Sequence, residues 1–172
     1  MENNEKARQL LAQLKEGYFK IEIEVMYDGK LPSKAHSSDA GFDLYATSDI
    51  TIYPGQVMKH PLNIRMKLPE STWAEITSKS GLGAKGLLVY AGVIDQSYRG
   101  IPHVVMSNIN IIQGMDQDGI PLMRTDPIVI KKGDKLAQLI MNPFSNQFYV
   151  EQVDKVSTDT DRSDGGFGSS GK

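Results

Sequence analysis

The sequence contains no cysteine and only three histidines. The absence of cysteine excludes disulfides, thiol nucleophiles and zinc–thiolate sites together. His36, His60 and His103 lie too far apart in the sequence to form a recognisable metal-binding motif. Any metal ion is therefore expected to be a hard cation held by oxygen, such as magnesium.

The sequence also lacks a strong charge and a long apolar run. Its formal net charge is -2 and its pI is about 5.9, which argues against a nucleic acid polymer as a partner. No apolar run approaches the roughly 20 residues that span a bilayer, and the start MENNEKARQ has no apolar core of a signal peptide. We therefore expect a cytoplasmic protein without a membrane partner.

The first part of the chain changes from a helical to a strand period. The apolar residues of segment 2–16 repeat with helical spacing: Ala7, Leu10, Leu11 and Leu14. Gly17 is available to end this helix. In FKIEIEVMY (19–27) apolar and charged residues alternate, which predicts a strand.

From there onward the chain consists of short β-prone runs separated by turns. A turn at Pro54–Gly55 lies between two such runs, DQDG (116–119) predicts the tip of a hairpin, and Lys132–Asp134 joins the last two. The remaining runs are NIRMKLP, TWAEITS, LLVYAGVI, HVVM and NINII. No long amphipathic helix is evident after residue 20, so the sequence predicts an all-β sandwich or barrel with one added N-terminal helix.

One glycine-rich stretch formally matches a dinucleotide-binding fingerprint. GLGAKG (81–86) has the spacing G-x-G-x-x-G, but the run after it reads as a strand instead of the helix that a Rossmann fold requires. We reject that interpretation. The stretch SKSGLG (78–83) still combines hydroxyls, a cation and glycine, a chemistry suited to phosphate, although such loops are most often plain turns.

Two aspartates and the tail stand out against their apolar or flexible surroundings. Asp43 lies between Phe42 and Leu44 in a strand, and Asp95 follows the apolar pair Val93–Ile94. A carboxylate in such a place is costly unless it is hydrogen-bonded or functional, but an ordinary strand or turn residue is the simpler alternative for each. The Gly/Ser-rich tail carries one large ring, Phe167, which a merely disordered segment does not explain.

Five motifs in sequence order resemble those of the trimeric dUTPases, enzymes that hydrolyse dUTP to dUMP and pyrophosphate. The motifs are DAGFDLYA (39–46), SKSGLGAKG (78–86), AGVIDQSYRG (91–100), GDKLAQLIMNP (133–143) and DRSDGGFGSSG (161–171). The resemblance covers about residue 20 to the end. It implies a jelly-roll-like β-barrel and a homotrimer in which each of three active sites is assembled from three subunits. The implied divisions are a helical extension (1–18), a β domain (19–156) with an insertion at about 107–126, and a flexible C-terminal arm (157–172).

The resemblance also implies the catalytic and base-binding residues. Asp95 would be the general base that deprotonates the water attacking the α-phosphorus. Tyr98 would stack under the deoxyribose, and Asp43 would hold Mg²⁺ through water. The hairpin leading into Asp95 would read uracil with the main chain of Gly92, Val93 and Ile94.

The resemblance also implies which residues bind the phosphates. Lys79, Ser80 and Gly81 would hold them, and Gln138 would contact the same region. In the arm, Arg162 would reach the γ-phosphate and Phe167 would stack on the uracil. The residues expected to wrap the triphosphate are Gly168, Ser169 and Ser170. Such an enzyme limits uracil in DNA and supplies dUMP for dTMP synthesis.

The chain departs from the family pattern in places, and two alternatives stay open. Lysine stands at position 79 where arginine is usual, Ser163 replaces a glycine, and the insertion at 107–126 favours a bacteriophage or bacterial origin. One alternative is dCTP deaminase, although RGIPHVVM (99–106) lacks the acidic residue that deamination needs. The other is a nucleotide-switched regulator that binds a protein partner through the N-terminal helix and the insertion.

Overall fold

The computed structural model describes residues 17–110, 114–122, 126–145 and 148–156, and the regular elements of this part of the chain are β-strands apart from one short helix. The elements are β1 (Glu22–Val25), β2 (Gly41–Tyr45), β3 (Ile50–Ile52), β4 (Val57–Pro61), β5 (Ile64–Lys67), β6 (Thr72–Thr77), α1 (Ser80–Gly83), β7 (Leu87–Tyr90), β8 (Val93–Ile94), β9 (His103–Asn108), β10 (Gly114–Met115), β11 (Pro121–Leu122), β12 (Ile128–Ile130) and β13 (Lys135–Pro143). The predicted all-β class is confirmed. None of the described helices is long and apolar enough to cross a membrane. The predicted helix at 2–16 and the arm at 157–172 lie outside the described residues.

The strands form antiparallel sheets around one apolar core. A four-stranded sheet has the order β2-β13-β6-β8, and a three-stranded sheet has the order β4-β9-β7. Three strand pairs complete the fold: β1 with β5, β3 with β12, and β10 with β11. Alternation along the strands directs every second side chain inward, as at Ile64 and Met66 of β5, which are both buried. The largest fully buried side chains include Leu44, Leu87, Met106, Leu136 and Leu139.

Strand β13 is the centre of the larger sheet and contains an irregularity. It pairs with β6 on one side and with β2 on the other, and its register against β2 shifts between Lys135 and Ala137. A β-bulge of this kind adds one residue to the strand and lets two neighbours face the same side. Leu136 and Ala137 are accordingly both fully buried. Lys135 lies opposite Tyr45, on the same face of β2 as Asp43.

Two predicted runs fold differently from a simple reading of their sequences. The strands that flank Pro54–Gly55 do not pair with each other, because β3 pairs with β12 and β4 pairs with β9. The run LLVYAGVI divides into β7 and β8, which belong to different sheets. Ala91 adopts a left-handed φ of 48° at the division. The predicted hairpin leading into Asp95 is therefore wrong: β8 pairs with β6, and the described strands include no β7–β8 pair.

The predicted hairpin in the insertion is confirmed. Strands β10 and β11 pair, with Gly114 opposite Leu122, although β10 begins after the NINII run. The Asp116 carboxylate accepts hydrogen bonds from the backbone N–H groups of Asp118 (2.9 Å) and Ile120 (2.8 Å). An aspartate that binds its own turn in this way stabilises a tight reversal of the chain.

The last described segment, 148–156, leaves large apolar side chains in solvent. Phe148 is 86% exposed, Tyr149 is 83% exposed and Val150 is fully exposed. Isolated apolar residues on a surface are ordinary, but three in a row form a continuous apolar strip. This strip has no partner within the described part of the single chain.

His60 on β4 is a buried histidine that the fold keeps neutral. The backbone N–H of Thr47 donates a hydrogen bond to His60 Nε2 over 3.0 Å, so this nitrogen must carry a lone pair. The Thr47 hydroxyl contacts the same nitrogen at 3.0 Å and can donate to the Pro61 carbonyl at 3.0 Å. Burial, and then the nearby charge of His103, lower the pKa of His60 below its usual 6.5.

This lowered pKa predicts a loss of stability in mild acid. As the pH falls below about 6.5, the unfolded chain protonates His60 while the folded chain does not, so the free energy of unfolding decreases until the folded pKa is reached. Denaturant unfolding at stepped pH values, for the wild type and His60→Gln, measures the effect. The stability of the wild type relative to the variant should decrease between pH 7 and pH 5. Parallel pH profiles for the two proteins would contradict the prediction.

Candidate functional site

Three strands align the side chains at one end of the larger sheet. Asp43 on β2 lies opposite Gln138 on β13, and Gln138 lies opposite Thr77 on β6. Thr77 is the last residue of β6, and the loop that follows it leads through Lys79 into the single turn of α1. The register of the sheet therefore brings Asp43, Gln138 and Lys79 together, although they are far apart in the sequence.

Gln138 fixes the start of this loop. Its Nε2 donates a hydrogen bond to the carbonyl oxygen of Ser78 over 2.9 Å. From the other side, the backbone N–H of Val89 donates to Ser78 Oγ over 3.1 Å. Ser78 is thus held between β13 and β7. The phosphate contact of Gln138 stays a prediction, and the residue lies directly against the predicted phosphate loop.

Asp43 is a buried carboxylate that binds two lysines. It is 6% exposed. Its Oδ1 accepts a hydrogen bond from Lys79 Nζ, and its Oδ2 lies 2.7 Å from Lys135 Nζ. The two cations together exceed the charge of the carboxylate by one unit, so this cluster carries a net positive charge suited to an anionic ligand.

The two lysines keep Asp43 ionised. Burial alone would raise the pKa of Asp43, but hydrogen bonds from Lys135 and Lys79, together with their charges, outweigh burial and hold the pKa below its usual 3.8. The hydrogen bond and charge of Asp43 in turn raise the pKa of Lys135 above 10.5. Asp43 and Lys135 are therefore both charged near neutral pH.

The residues after Lys79 leave the loop open to a ligand. Ser80 and Gly81 begin α1 and are both exposed. A Cβ atom added at Gly81 would meet nothing within 4 Å. The backbone at Gly81 is therefore accessible, as the predicted phosphate contact of Ser80 and Gly81 requires.

A second group of predicted site residues surrounds a separate pocket. Ile94 is buried while Val93 and Asp95 are exposed, and Asp95 and Tyr98 line a pocket of about 220 Å³ together with His103. The Tyr98 hydroxyl donates to the Ile101 carbonyl over 3.2 Å. A Cβ atom at Gly100 would lie 2.4 Å from the Tyr98 hydroxyl, so glycine there makes room for this ring.

Gly92 packs directly against the backbone of β6. Its carbonyl accepts a hydrogen bond of 2.8 Å from the Ile76 N–H. A Cβ atom at Gly92 would lie 1.9 Å from the Ile76 carbonyl oxygen, closer than any real contact. Only glycine therefore lets the segment before Asp95 approach β6 this closely.

The two groups of residues lie apart within one chain. Ile94 lies opposite Ala74, three residues before Thr77 on β6, and β8 is three strands away from β2 in the sheet. With strands about 4.8 Å apart and a rise of about 3.3 Å per residue, the Cα atoms of Ile94 and Asp43 are roughly 17 Å apart. Neither Asp43 nor Lys79 lines the pocket at Asp95.

The described acidic residues could supply only a few of the ligands of a magnesium ion. No group of three or more His, Cys, Asp or Glu side chains within the described residues could hold a metal ion. Magnesium in phosphate-binding sites commonly keeps several waters and takes one or two carboxylates in addition to substrate phosphates. Asp43 is ionised, and its carboxylate has about four lone pairs, of which the lysines use two. The described residues would therefore supply only a small share of the ligands of such an ion, with bound phosphate and water supplying the rest.

The motifs did not identify two residues of these clusters, Lys135 and His103. Other predicted site residues lie outside the described residues. The motifs assign no role to Lys135, although the pattern Lys135-Leu136-Ala137-Gln138 interrupts strict alternation at the bulge. The sequence marks His103 only as a histidine outside any metal-binding motif. The arm residues Arg162, Phe167, Gly168, Ser169 and Ser170 lie outside the described residues.

The close contact at Gly92 predicts a selective loss of stability. Gly92→Ala should separate β8 from β6 and lower the free energy of unfolding by about 1–3 kcal/mol, as overpacking does. Gly81→Ala is the matched control, because open space surrounds Gly81. Urea unfolding of both variants measures the difference, and equal stability of the two would be inconsistent with the packing at Gly92.

Comparisons with known proteins show which family this chain resembles. The family model described as dUTPase matches residues 28–114 and 120–171. The chain is 36% identical over 151 residues to the deoxyuridine 5'-triphosphate nucleotidohydrolase of Clostridium tetani, covering 84% of this chain and 91% of that protein. It is also 37% identical over 143 residues to the Pol polyprotein of ovine maedi visna related virus, covering 83% of this chain but only 12% of the polyprotein.

A solved structure supports the same fold. The dUTPase of Staphylococcus aureus phage phi11, in a mutant that reveals how a structural Mg(II) ion is coordinated, superimposes with a TM-score of 0.66 at 25% identity. The match covers 79% of this chain and 97% of that one. Since the family model spans most of the chain and a relative of similar length shares more than a third of its residues, this chain belongs to the dUTPase family, as the five motifs predicted.

Proposed function

We propose that this chain is a dUTP diphosphatase that hydrolyses dUTP to dUMP and pyrophosphate with the help of Mg²⁺. The observation that carries the proposal is the cationic cluster of Lys79, Asp43 and Lys135 beside the open loop at Gly81, in a chain of the dUTPase family. The cluster offers positive charge and accessible backbone where the second motif is expected to bind phosphate. The family match also favours dUTP hydrolysis over deamination of dCTP.

The active enzyme is proposed to be a homotrimer with shared sites. Asp95 and Lys79 are both needed for the proposed reaction, yet their clusters lie well apart in the sheet of one chain. Val93 beside Asp95 is 67% exposed, and the strip at 148–150 is exposed as well. Exposed apolar surface beside Asp95 and at 148–150 supports burial against another copy of the chain.

The proposed reaction is an in-line attack of water on the α-phosphorus. Asp95 accepts a proton from the water as the new oxygen–phosphorus bond forms, and the bond from the α-phosphorus to the bridging oxygen breaks to release pyrophosphate. The exposed position of Asp95 in the lining of its pocket supports this role. Tyr98, held by its hydrogen bond to Ile101, would stack under the deoxyribose.

The remaining assignments concern the base and the phosphates. The main chain of Gly92, Val93 and Ile94 would read uracil, while Lys79 and Ser80 bind the phosphates. Bound magnesium would neutralise charge on the triphosphate, with Asp43 contacting one of its waters. The arm, with Arg162 and Phe167, would close over the nucleotide and exclude water.

The cellular role and a regulatory partner stay predictions. The limitation of uracil in DNA and the supply of dUMP follow from the proposed activity, while cytoplasmic location stays a prediction from the sequence. The hairpin β10–β11 exposes Met115 (70%) and Ile120 (59%), which would suit contact with a protein partner. Comparing pull-downs with and without a non-hydrolysable dUTP analogue separates a nucleotide-switched partner from mere decoration of the trimer.

Pyrophosphate release tests the proposed activity directly. With Mg²⁺ the wild type should hydrolyse dUTP in preference to dTTP, dCTP and UTP. Asp95→Asn should lower the turnover number by about 10²–10⁴-fold, the usual contribution of a general base, while dUTP still binds. Near wild-type turnover of this variant would exclude Asp95 as the base, and intact dUTP with the wild type would exclude the activity.

Mixing two inactive variants tests the shared site. Asp95→Asn and Lys79→Gln subunits, unfolded and refolded together, should form mixed trimers in which one site combines an intact Asp95 with an intact Lys79. Random assembly from equal amounts should restore about a quarter of wild-type activity, if Asp95 and Lys79 come from different subunits. Each variant refolded alone is the control. A mixture no more active than its components would show that each chain supplies both residues to its own site.

A further inference from the structure

Asp43 is a buried carboxylate whose two cationic partners are partly exposed. It is almost fully buried, while the Lys79 side chain is 28% exposed and the Lys135 side chain is 47% exposed. Each lysine contacts a different oxygen of the carboxylate. Either lysine alone could balance its charge, so the second one is not needed for neutrality. The arrangement therefore contains one cation that can leave without stranding a buried anion.

The backbone of Lys135 is part of the larger sheet, and the backbone of Lys79 is not. Lys135 begins the central strand of the larger sheet, and the bulge after it directs its side chain to the face of Asp43. The two residues of the bulge, Leu136 and Ala137, are anchored in the core. Lys79 instead precedes α1 in a loop, and its side chain meets Asp43 from outside the sheet.

We propose that Lys135 is a positioning residue that keeps Asp43 paired, so that Lys79 can move from Asp43 to the phosphates of the bound nucleotide. This inference rests on the proposed function, because it requires a nucleotide whose phosphates attract Lys79. When Lys79 leaves, the pair Asp43–Lys135 remains and the buried charge stays balanced. Without Lys135, and with no magnesium bound, the same movement would leave the buried carboxylate with no cation, which is strongly unfavourable.

The inference makes a distinctive prediction about nucleotide binding. In a chain without Lys135, Asp43 retains Lys79 as its sole partner, and affinity for the triphosphate falls. If Asp43 is also made neutral, nothing retains Lys79, and the loss of Lys135 no longer matters. If Lys135 simply attracted phosphate across space, its removal would weaken binding by the same factor whether or not Asp43 is charged.

A double-mutant cycle distinguishes these cases. Isothermal titration calorimetry with α,β-imido-dUTP, in EDTA so that no magnesium takes part, gives the Kd for the wild type, Lys135→Gln, Asp43→Asn and the double variant. Lys135→Arg keeps the cation. Lys131→Gln is the control for net charge. Lys131 lies in the turn just before β13, and it pairs with Asp49 at 2.9 Å and not with Asp43. Urea unfolding confirms that each variant is folded. If Lys135→Gln does not fold, Lys135→Met, which keeps much of the aliphatic part of the side chain, replaces it.

The expected result is a roughly tenfold weaker Kd for Lys135→Gln, with Lys135→Arg and Lys131→Gln within about twofold of the wild type. In the Asp43→Asn background, adding Lys135→Gln should change the Kd by less than about twofold. An equal loss in both backgrounds, or no loss in either, would overturn the inference. If the wild type itself fails to bind the analogue, the proposed function fails instead.

Discussion

The pairing of buried Asp43 with two lysines is the interaction on which this end of the molecule depends. A carboxylate removed from water is costly unless cations and hydrogen bonds compensate it. That requirement constrains Lys79, and with it the loop after β6, and it constrains Lys135, and with it the bulge in β13. Gln138, one residue past the bulged pair, then supports the loop through Ser78. One buried charge thereby links three strands and the loop into a single cationic surface.

The motifs predicted much of this cluster, because residue type and order were sufficient to find Asp43, Lys79 and Gln138. Strict alternation, by contrast, could not place Lys135. Two adjacent apolar residues between polar ones indicate an irregular strand, but only the register against Tyr45 and Leu44 shows to which face the lysine turns. The division between β7 and β8 could not be predicted either, because the residues of LLVYAGVI do not indicate the left-handed backbone of Ala91.

Alternation and turn residues located most strands, but they did not show which strands pair. The runs on either side of Pro54–Gly55 resemble the arms of one hairpin, yet β3 and β4 find partners more than forty residues away. Pairing between distant strands depends on how well both faces pack in the complete fold, a property that local patterns do not contain. The separation of Asp95 from Lys79 is likewise a property of the sheet order and is invisible in the linear spacing of the motifs.

The exposed strip Phe148–Val150 has a consequence for how the protein is made. A newly synthesised chain that has completed its fold still exposes this apolar strip to solvent, and in the proposed trimer another copy of the chain would cover it. Assembly of the proposed trimer and aggregation would therefore compete for the same surface, and both would accelerate as the protein becomes more concentrated. The yield of active material would therefore depend on the concentration at which the chains are made as well as on their sequence.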